Sequence, residues 1–328
     1  MAPVRCFVHR SPDNKISVIV LTTGYSTVVK EKLFAAVQYV LPHHLISRSV
    51  HYFVDCRIHW IKNGLIRWAI DHYHVNMDEA ERTRAEDYCH FNDFFTRALK
   101  EDARPLPDDD SLVVSPADGM ISQIGDINDG RIFQAKGHDY SLVALLGGDL
   151  ALAERFMSGK FATIYLSPKD YHRVHMPAAG ELEQMIHVPG RLFSVNQTTA
   201  DMVPNLFARN ERVVSIFETQ YGPMAVIMVG AINVASMETV WAGQVTPQRG
   251  HVATTAYGKA SQSINLERGA EMGRFKLGST AIVLFGKEQI EWLTHWQSGR
   301  TIRMGEALAR ACGNSTDITP VNNEEETP

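Results

Sequence analysis

Cysteine is scarce in this chain, and the four present, Cys6, Cys56, Cys89 and Cys312, lie far apart with no Cys-x-x-Cys pair. That spacing points to neither a zinc knuckle nor a disulfide framework, and it fits a reducing compartment. Long apolar runs are missing too: nowhere do eighteen or more apolar residues follow one another, so a spanning helix is not expected. The start makes a poor signal peptide, because Arg5 and Arg10 are offset by Asp13 and the apolar stretch from Ile16 breaks at Thr22-Thr23-Gly24. A basic excess is also absent. The formal net charge of -5 argues against nucleic acid as a partner, while leaving room for a local basic face.

Several chemical signatures are lacking as well. A metal hydrolase built on His172, His175 and Asp118 would have no His-Glu-x-x-His, and its third ligand is remote in sequence, so no metal is assigned. A serine hydrolase would lack the Gly-x-Ser-x-Gly elbow around Ser279. The run from Gly273 to Thr280 imitates a phosphate-binding loop, but Ser279 stands where that loop needs lysine. No internal repeat is visible.

What the chain does have is core: 45% of its 328 residues are hydrophobic, enough for one large domain or two modest ones. Residues 1–29 read as an N-terminal extension. From Lys30 the pattern turns helical, with Leu33, Phe34, Val37, Val40 and Leu41 on one stripe before Pro42, and a second helix from Ile46. A third places Ile58, Ile61, Leu65, Trp68 and His72 at three- and four-residue steps, flanked by Lys62, Arg67 and Asp71. Cations and aromatic rings interleave here, which suits a layer lying on an anionic membrane surface; packing on the protein's own core is the alternative. Glu101 to Asp110 reads as a solvated connector, so residues 30–110 form a helical membrane-associating region with its connector.

Residues 111–310 carry short β-like runs and form the candidate catalytic domain. The strands expected are Leu112–Val114, Met120–Ile124, Arg131–Gln134, Phe161–Leu166, Leu182–His187, Val213–Glu218, Met224–Val229, Ile232–Ser236, Glu238–Trp241 and Thr280–Phe285. A helix over Leu142–Phe156 interrupts them, with Gly147-Gly148 able to divide it. The fold class is α+β, a mostly antiparallel β body with an N-terminal amphipathic helical layer. Residues 311–328 make a tail whose Asn- and Glu-rich end predicts disorder.

The chemistry gathers at Gly278-Ser279, where a hydroxyl follows a glycine directly ahead of a buried-looking strand. Glycine leaves its carbonyl unshielded, so Ser279 Oγ can attack the preceding peptide bond in an N-to-O acyl shift; the plain alternative is a Gly-Ser turn. Such a reaction needs a base, and His172 and His175 stand three residues apart. A short turn begun by Ser167-Pro168-Lys169-Asp170 would bring both toward one pocket. Asp118, ahead of Gly119, can orient an imidazole or simply serve a turn.

Leu277-Gly278-Ser279-Thr280, Ser115-Pro116-Ala117-Asp118-Gly119 and Tyr171-His172-Arg173-Val174-His175-Met176-Pro177 together resemble the signature set of the pyruvoyl-dependent phosphatidylserine decarboxylases. Phe91 to Arg97, Gln134 to His138, Val188 to Gly190, Phe193 to Asn196, Asn205 to Arg212 and Val240 to Gly243 extend the likeness from about residue 30 to about residue 308. The resemblance implies a self-cleavage triad of Asp118, His175 and Ser279, with His172 left for substrate placement or protonation. It implies a cut between Gly278 and Ser279 into a larger chain, 1–278, and a smaller one, 279–328, which stay together as a heterodimer, with further self-association open. Ser279 would end as a covalent pyruvoyl group, forming a Schiff base with phosphatidylserine and releasing carbon dioxide to give phosphatidylethanolamine. The Leu-Gly-Ser-Thr version implies a bacterial enzyme peripheral to the cytoplasmic side of the inner membrane. A serine hydrolase and a non-enzymatic membrane-binding module are the other readings of the same residues.

Overall fold

A computed structural model describes the backbone of 7–10 and 16–19 and, in full, residues 54–232, 236–247, 250–258, 263–276 and 279–312. The helices expected at Lys30–Leu41 and from Ile46, the Asn- and Glu-rich tail, and Gly278 itself lie outside the described residues.

The body is built from antiparallel strands. Those that matter for the site are β1 (Gly119–Asp126), β2 (Lys160–Leu166), β3 (Arg173–His175), β4 (Gly180–Val188), β5 (Arg212–Thr219), β6 (Gly222–Gly230), β7 (Ser236–Thr239), β8 (Glu271–Lys276) and β9 (Ser279–Phe285). The large sheet runs β4-β5-β6-β9-β2-β1, edged by Ala253–Ala256 next to β4 and Thr301–Ile302 next to β1. A smaller sheet orders Gly243–Gln244, β7, β8 and β3. β9 sits inside the large sheet with all seven residues buried, as a continuous Ala-Ile-Val-Leu-Phe run demands when both faces are covered. Its core neighbours include Ile164, Ile227, Val229 and Phe217, none of them exposed.

β8 belongs to the smaller sheet and β9 to the larger, so the chain changes sheets across only Leu277 and Gly278. That places the start of β9 at a junction between layers. Ser279 opens the strand, opposite Gly230 of β6 on one side and Leu166 of β2 on the other.

The helical layer is smaller. α1 (His59–Tyr73) and α2 (Phe91–Phe95) share a second core of Val54, Ile66, Ala69, Val75, Ala85, Tyr88, Phe91, Phe94 and Phe95. α1 ends on His74 in the left-handed conformation, its N–H donating to Ile70 O, a helix stop usually given to glycine.

One local expectation changes, at Ile232, and three others gain detail. The stripe divides: Ile58, Trp68 and His72 are exposed, as a membrane-facing layer requires, Ile61 and Leu65 are half-buried, and Lys62, Asn63, Ile66 and Ala69 are buried, with the Lys62 ammonium satisfied by Asn63 Oδ1 and the Ala85 and Glu86 carbonyls. Glu101 to Asp110 is exposed along most of its length, as expected, and is also pinned: Arg104 pairs with Asp118 and Glu79, and Arg268 donates to the carbonyls of Pro107 and Asp109. Ile232 lies in a turn, and the strand begins at Ser236 and ends at Thr239. The long helix is two short ones, Leu142–Leu145 and Leu150–Glu154, divided where Gly147 and Gly148 take φ of 86° and 97°.

Candidate active site

β9 fixes Ser279, which is 0% exposed to solvent, and β2 leads into the segment that faces it. After Leu166 the chain turns through Pro168 and Lys169 and enters β3 at Arg173. Asp170 holds this turn by accepting from Ser167 N at 2.6 Å and Ser167 Oγ at 2.7 Å. His172 stands just before β3 and His175 ends it. The expected shared helical face is therefore replaced by a strand, on which residues three apart point to opposite sides.

Those two rings have different partners. His172 Nε2 lies 3.0 Å from Ser167 O, and since a carbonyl only accepts, Nε2 carries the proton and Nδ1 is left as an acceptor. Nδ1 faces Ser279 Oγ at 3.4 Å, the loose end of hydrogen-bond reach. The Phe95 ring stacks on the imidazole at 4.0 Å between centroids. Burial, helped by the positive charge of Arg97, pushes the His172 pKa down to about 3, so the ring is neutral at physiological pH.

His175 donates from Nδ1 to Gly269 O at 2.8 Å and accepts at Nε2 from Tyr171 Oη at 3.0 Å. Burial lowers its pKa as well, but the Gly269 bond and the carboxylates of Glu271 and Asp118 oppose that fall. Burial also pushes the Tyr171 hydroxyl up to about 12, so it is protonated and able to donate.

Asp118 is held from two sides. Arg104 grips both carboxylate oxygens, with Nε 2.9 Å from Oδ1, and Met304 N donates to Oδ1 at 2.8 Å. The backbone beside it is just as tight: a Cβ on Gly119 would sit 2.3 Å from Tyr165 O, so only glycine lets this bend press against β2. Asp118 influences His175 through its charge, and Pro116 O accepts from His175 N at 2.8 Å. Among the described contacts, Ser279 meets His172, whereas Asp118 and His175 each bond elsewhere.

Above Ser279 opens a cavity of about 360 Å³ between the helical layer and the large sheet. Trp68, Tyr73, Phe94 and Phe95 roof it, and Tyr165, Val195 and Ser279 lie on its other side. A ketone at position 279 would occupy the volume of the present side chain, and a reactive ketone needs a dry wall and a nearby proton carrier. The apolar lining and His172 supply both, so the residues fit a pyruvoyl group. Among the described residues, no group of three His, Cys, Asp or Glu side chains is placed to hold a metal ion.

Arg97, Arg104 and Tyr171 went unassigned in the sequence. Phe95 and Arg97 did lie in one of the quoted segments, Phe91 to Arg97, but nothing in the order of residues says that one stacks on His172 and the other is buried against the turn ahead of it.

Comparison with known proteins covers most of the chain. A family model described as phosphatidylserine decarboxylase matches residues 91–310, and a second, described as PSD, matches residues 33–74. The phosphatidylserine decarboxylase proenzyme of Pseudomonas fluorescens is 59% identical over 281 residues, covering 85% of this chain and 98% of the relative. The proenzyme of Pseudomonas entomophila is 60% identical over 282 residues, covering 86% and 98%. That of Ectopseudomonas mendocina is 58% identical over 284 residues, covering 86% and 99%. With the family model spanning residues 91–310 and relatives near 60% identity covered almost end to end, this chain belongs to the phosphatidylserine decarboxylase family.

Proposed function

We propose that this chain cuts itself between Gly278 and Ser279 and then works as a pyruvoyl-dependent decarboxylase converting phosphatidylserine to phosphatidylethanolamine. The carrying observation is Ser279 at the head of a central strand, sealed from water, opening onto an apolar cavity and facing His172 Nδ1. The pyruvoyl group, once formed, supplies an electrophilic carbonyl for the substrate amine and a sink for the electrons of the breaking carbon–carboxylate bond.

Two properties divide the histidines. Distance favours His172 at Ser279, but a ring whose pKa has fallen to about 3 holds a proton poorly. His175 keeps more basicity through Gly269 and the nearby carboxylates, so it is assigned to take the Ser279 proton, with Asp118 favouring its charged form. To do so its ring must leave Tyr171. His172 aligns the hydroxyl before the cut and serves the substrate after it. A carboxylate entering beside His172 favours protonation at Nδ1. When that carboxylate departs as carbon dioxide, the buried imidazolium loses its counter-charge and gives its proton to the substrate α-carbon.

The apolar cavity excludes water from these steps, and its size suits a headgroup rather than two acyl chains. Lipid reaches it from the helical side: Ile58, Trp60 and Trp68 are 53%, 77% and 51% exposed, with Arg57 and Arg67 beside them. That face would rest on an anionic bilayer, peripheral to the cytoplasmic side of the inner membrane. No helix among the described residues is long and apolar enough to cross one. After the cut, β9 would remain paired along its whole length with β6 and β2, which keeps larger and smaller chains together without a covalent link.

Intact-mass spectrometry of purified protein tests the reading. Two chains, the smaller beginning with a keto-acyl group at 279, are expected; one unbroken chain with an ordinary serine there would end it. Comparing His175→Ala with His172→Ala tests the division of labour. The first should stay uncut and the second should cut without releasing carbon dioxide; the reverse pattern would make His172 the base for cleavage.

A further inference from the structure

Arg97 has no part in the steps above, yet it is 3% exposed and lies against the turn that carries His172. Its Nη2 donates to Lys169 O at 2.9 Å and Asp170 O at 3.3 Å, the carbonyls just ahead of the histidine. Its Nε and Nη1 are buried without a hydrogen-bond partner. Burying a guanidinium on neutral carbonyls costs several kcal/mol, and packing alone would be served better by an apolar side chain of similar volume. Arg97 comes just after α2, whose Phe95 stacks on the His172 ring, so one short segment both covers the imidazole and anchors a cation on the turn that carries it.

Resting on the decarboxylase reading, we propose that Arg97 is a positioning residue acting through His172: it anchors the 167–172 turn and sets the field in which the ring gains and loses its proton. The remaining polar surroundings of the ring are Ser167 O and Ser279 Oγ, and the ring face is covered by Phe95. Asp170 and Lys169 belong to its own turn, Asp170 being tied to Ser167; Tyr73 and Tyr165 line the cavity, Asp118 is gripped by Arg104, and from β8 only the Phe275 N–H reaches His172, through its carbonyl. Arg97 is thus the cation without a bonded acid in this group. Its charge disfavours the imidazolium, which makes the ring readier to release a proton once the substrate carboxylate is gone, and attracts that carboxylate beforehand.

The test uses the full chain with Arg97→Gln and Arg97→Lys, read first by intact mass and then by kcat and KM against pH in phosphatidylserine–detergent micelles. Arg97→Gln should still cut. Its kcat should fall about tenfold or more, within the range that general acid–base help supplies. Its pH limb governed by His172 should move to higher pH, because removing a positive charge makes the ring easier to protonate. Arg97→Lys should cut and hold that limb near its original position. A limb unmoved in Arg97→Gln, or moved equally in Arg97→Lys, overturns the proposal, since a merely structural arginine would lower activity without that difference. Should Arg97→Gln not accumulate folded, Arg97→Lys decides: a limb in place supports the proposal and a displaced one overturns it. Failure of the unaltered chain to cut or to release carbon dioxide would instead remove the decarboxylase reading itself.

Discussion

The helical layer and the β body bury their residues on different scales. In the body, β9 hides all seven of its residues and pairs on both edges. In the layer, α1 hides four of its fifteen residues, two of them polar, and leaves Trp60 and Trp68 outside. A strand held on both sides fixes one atom, Ser279 Oγ, against a partner ring. A thin helix over a small core provides a roof and an outward apolar face. Rigidity is thus concentrated at the proposed cut, and exposed apolar surface on the face proposed to meet lipid.

The largest break in this comparison comes from the body. Ser279→Ala should leave one uncut chain on a denaturing gel and abolish carbon dioxide release, while the fold persists because a small side chain replaces another. Next, His172→Ala should give two chains but lose about 10²- to 10⁴-fold in turnover, measured as labelled carbon dioxide. Full activity in that variant would remove the ring facing Ser279 from the chemistry.

Core truncation sharpens the contrast. In the uncut Ser279→Ala background, Ile282→Ala should cost about 2–5 kcal/mol in urea unfolding, because β9 has no room to collapse. Ile66→Ala in the layer should fall at or below the lower end of that range. Equal costs would mean that layer and body melt as one unit.

Acid should weaken the body through His172. An ordinary histidine titrates at 6.5 and this one at about 3, so between those values the unfolded chain binds a proton that the folded chain refuses. Stability should therefore be full above pH 6.5 and decline as pH falls toward 3, by at most about 1.4 kcal/mol per pH unit for this group. His172→Phe should flatten the slope in urea titrations; an unchanged slope would assign the acid sensitivity to other groups.

The smallest effect on stability belongs to the outer face. Trp60→Ala should change unfolding by no more than about 0.5 kcal/mol, yet weaken flotation with anionic vesicles at low salt. Unaltered flotation would detach the exposed tryptophan from membrane contact.

Much of the body was legible because short, nearly continuous apolar runs such as those of β2, β5 and β9 are bounded by glycine, proline and asparagine, and the paired glycines did divide the helix after Leu145. Ile58, Trp68 and His72 were legible as a membrane-facing stripe, but the burial of Lys62 was not, because a lysine satisfied by carbonyls gives no periodic signal. Glu101 to Asp110 is exposed, as its acidic and proline-rich composition suggested, but composition says nothing about a distant Asp118 paired with Arg104.

By itself the sequence determined the antiparallel body and the family, since these depend on short apolar runs between turn residues and on motifs that agree in order. Only the tertiary structure decided which histidine touches Ser279, that Arg104 holds Asp118, and that Arg97 lies buried against the turn ahead of His172. The reason is physical: which side of a strand a ring points to, and which charge is sealed in beside it, follow from register and burial between segments far apart in the chain.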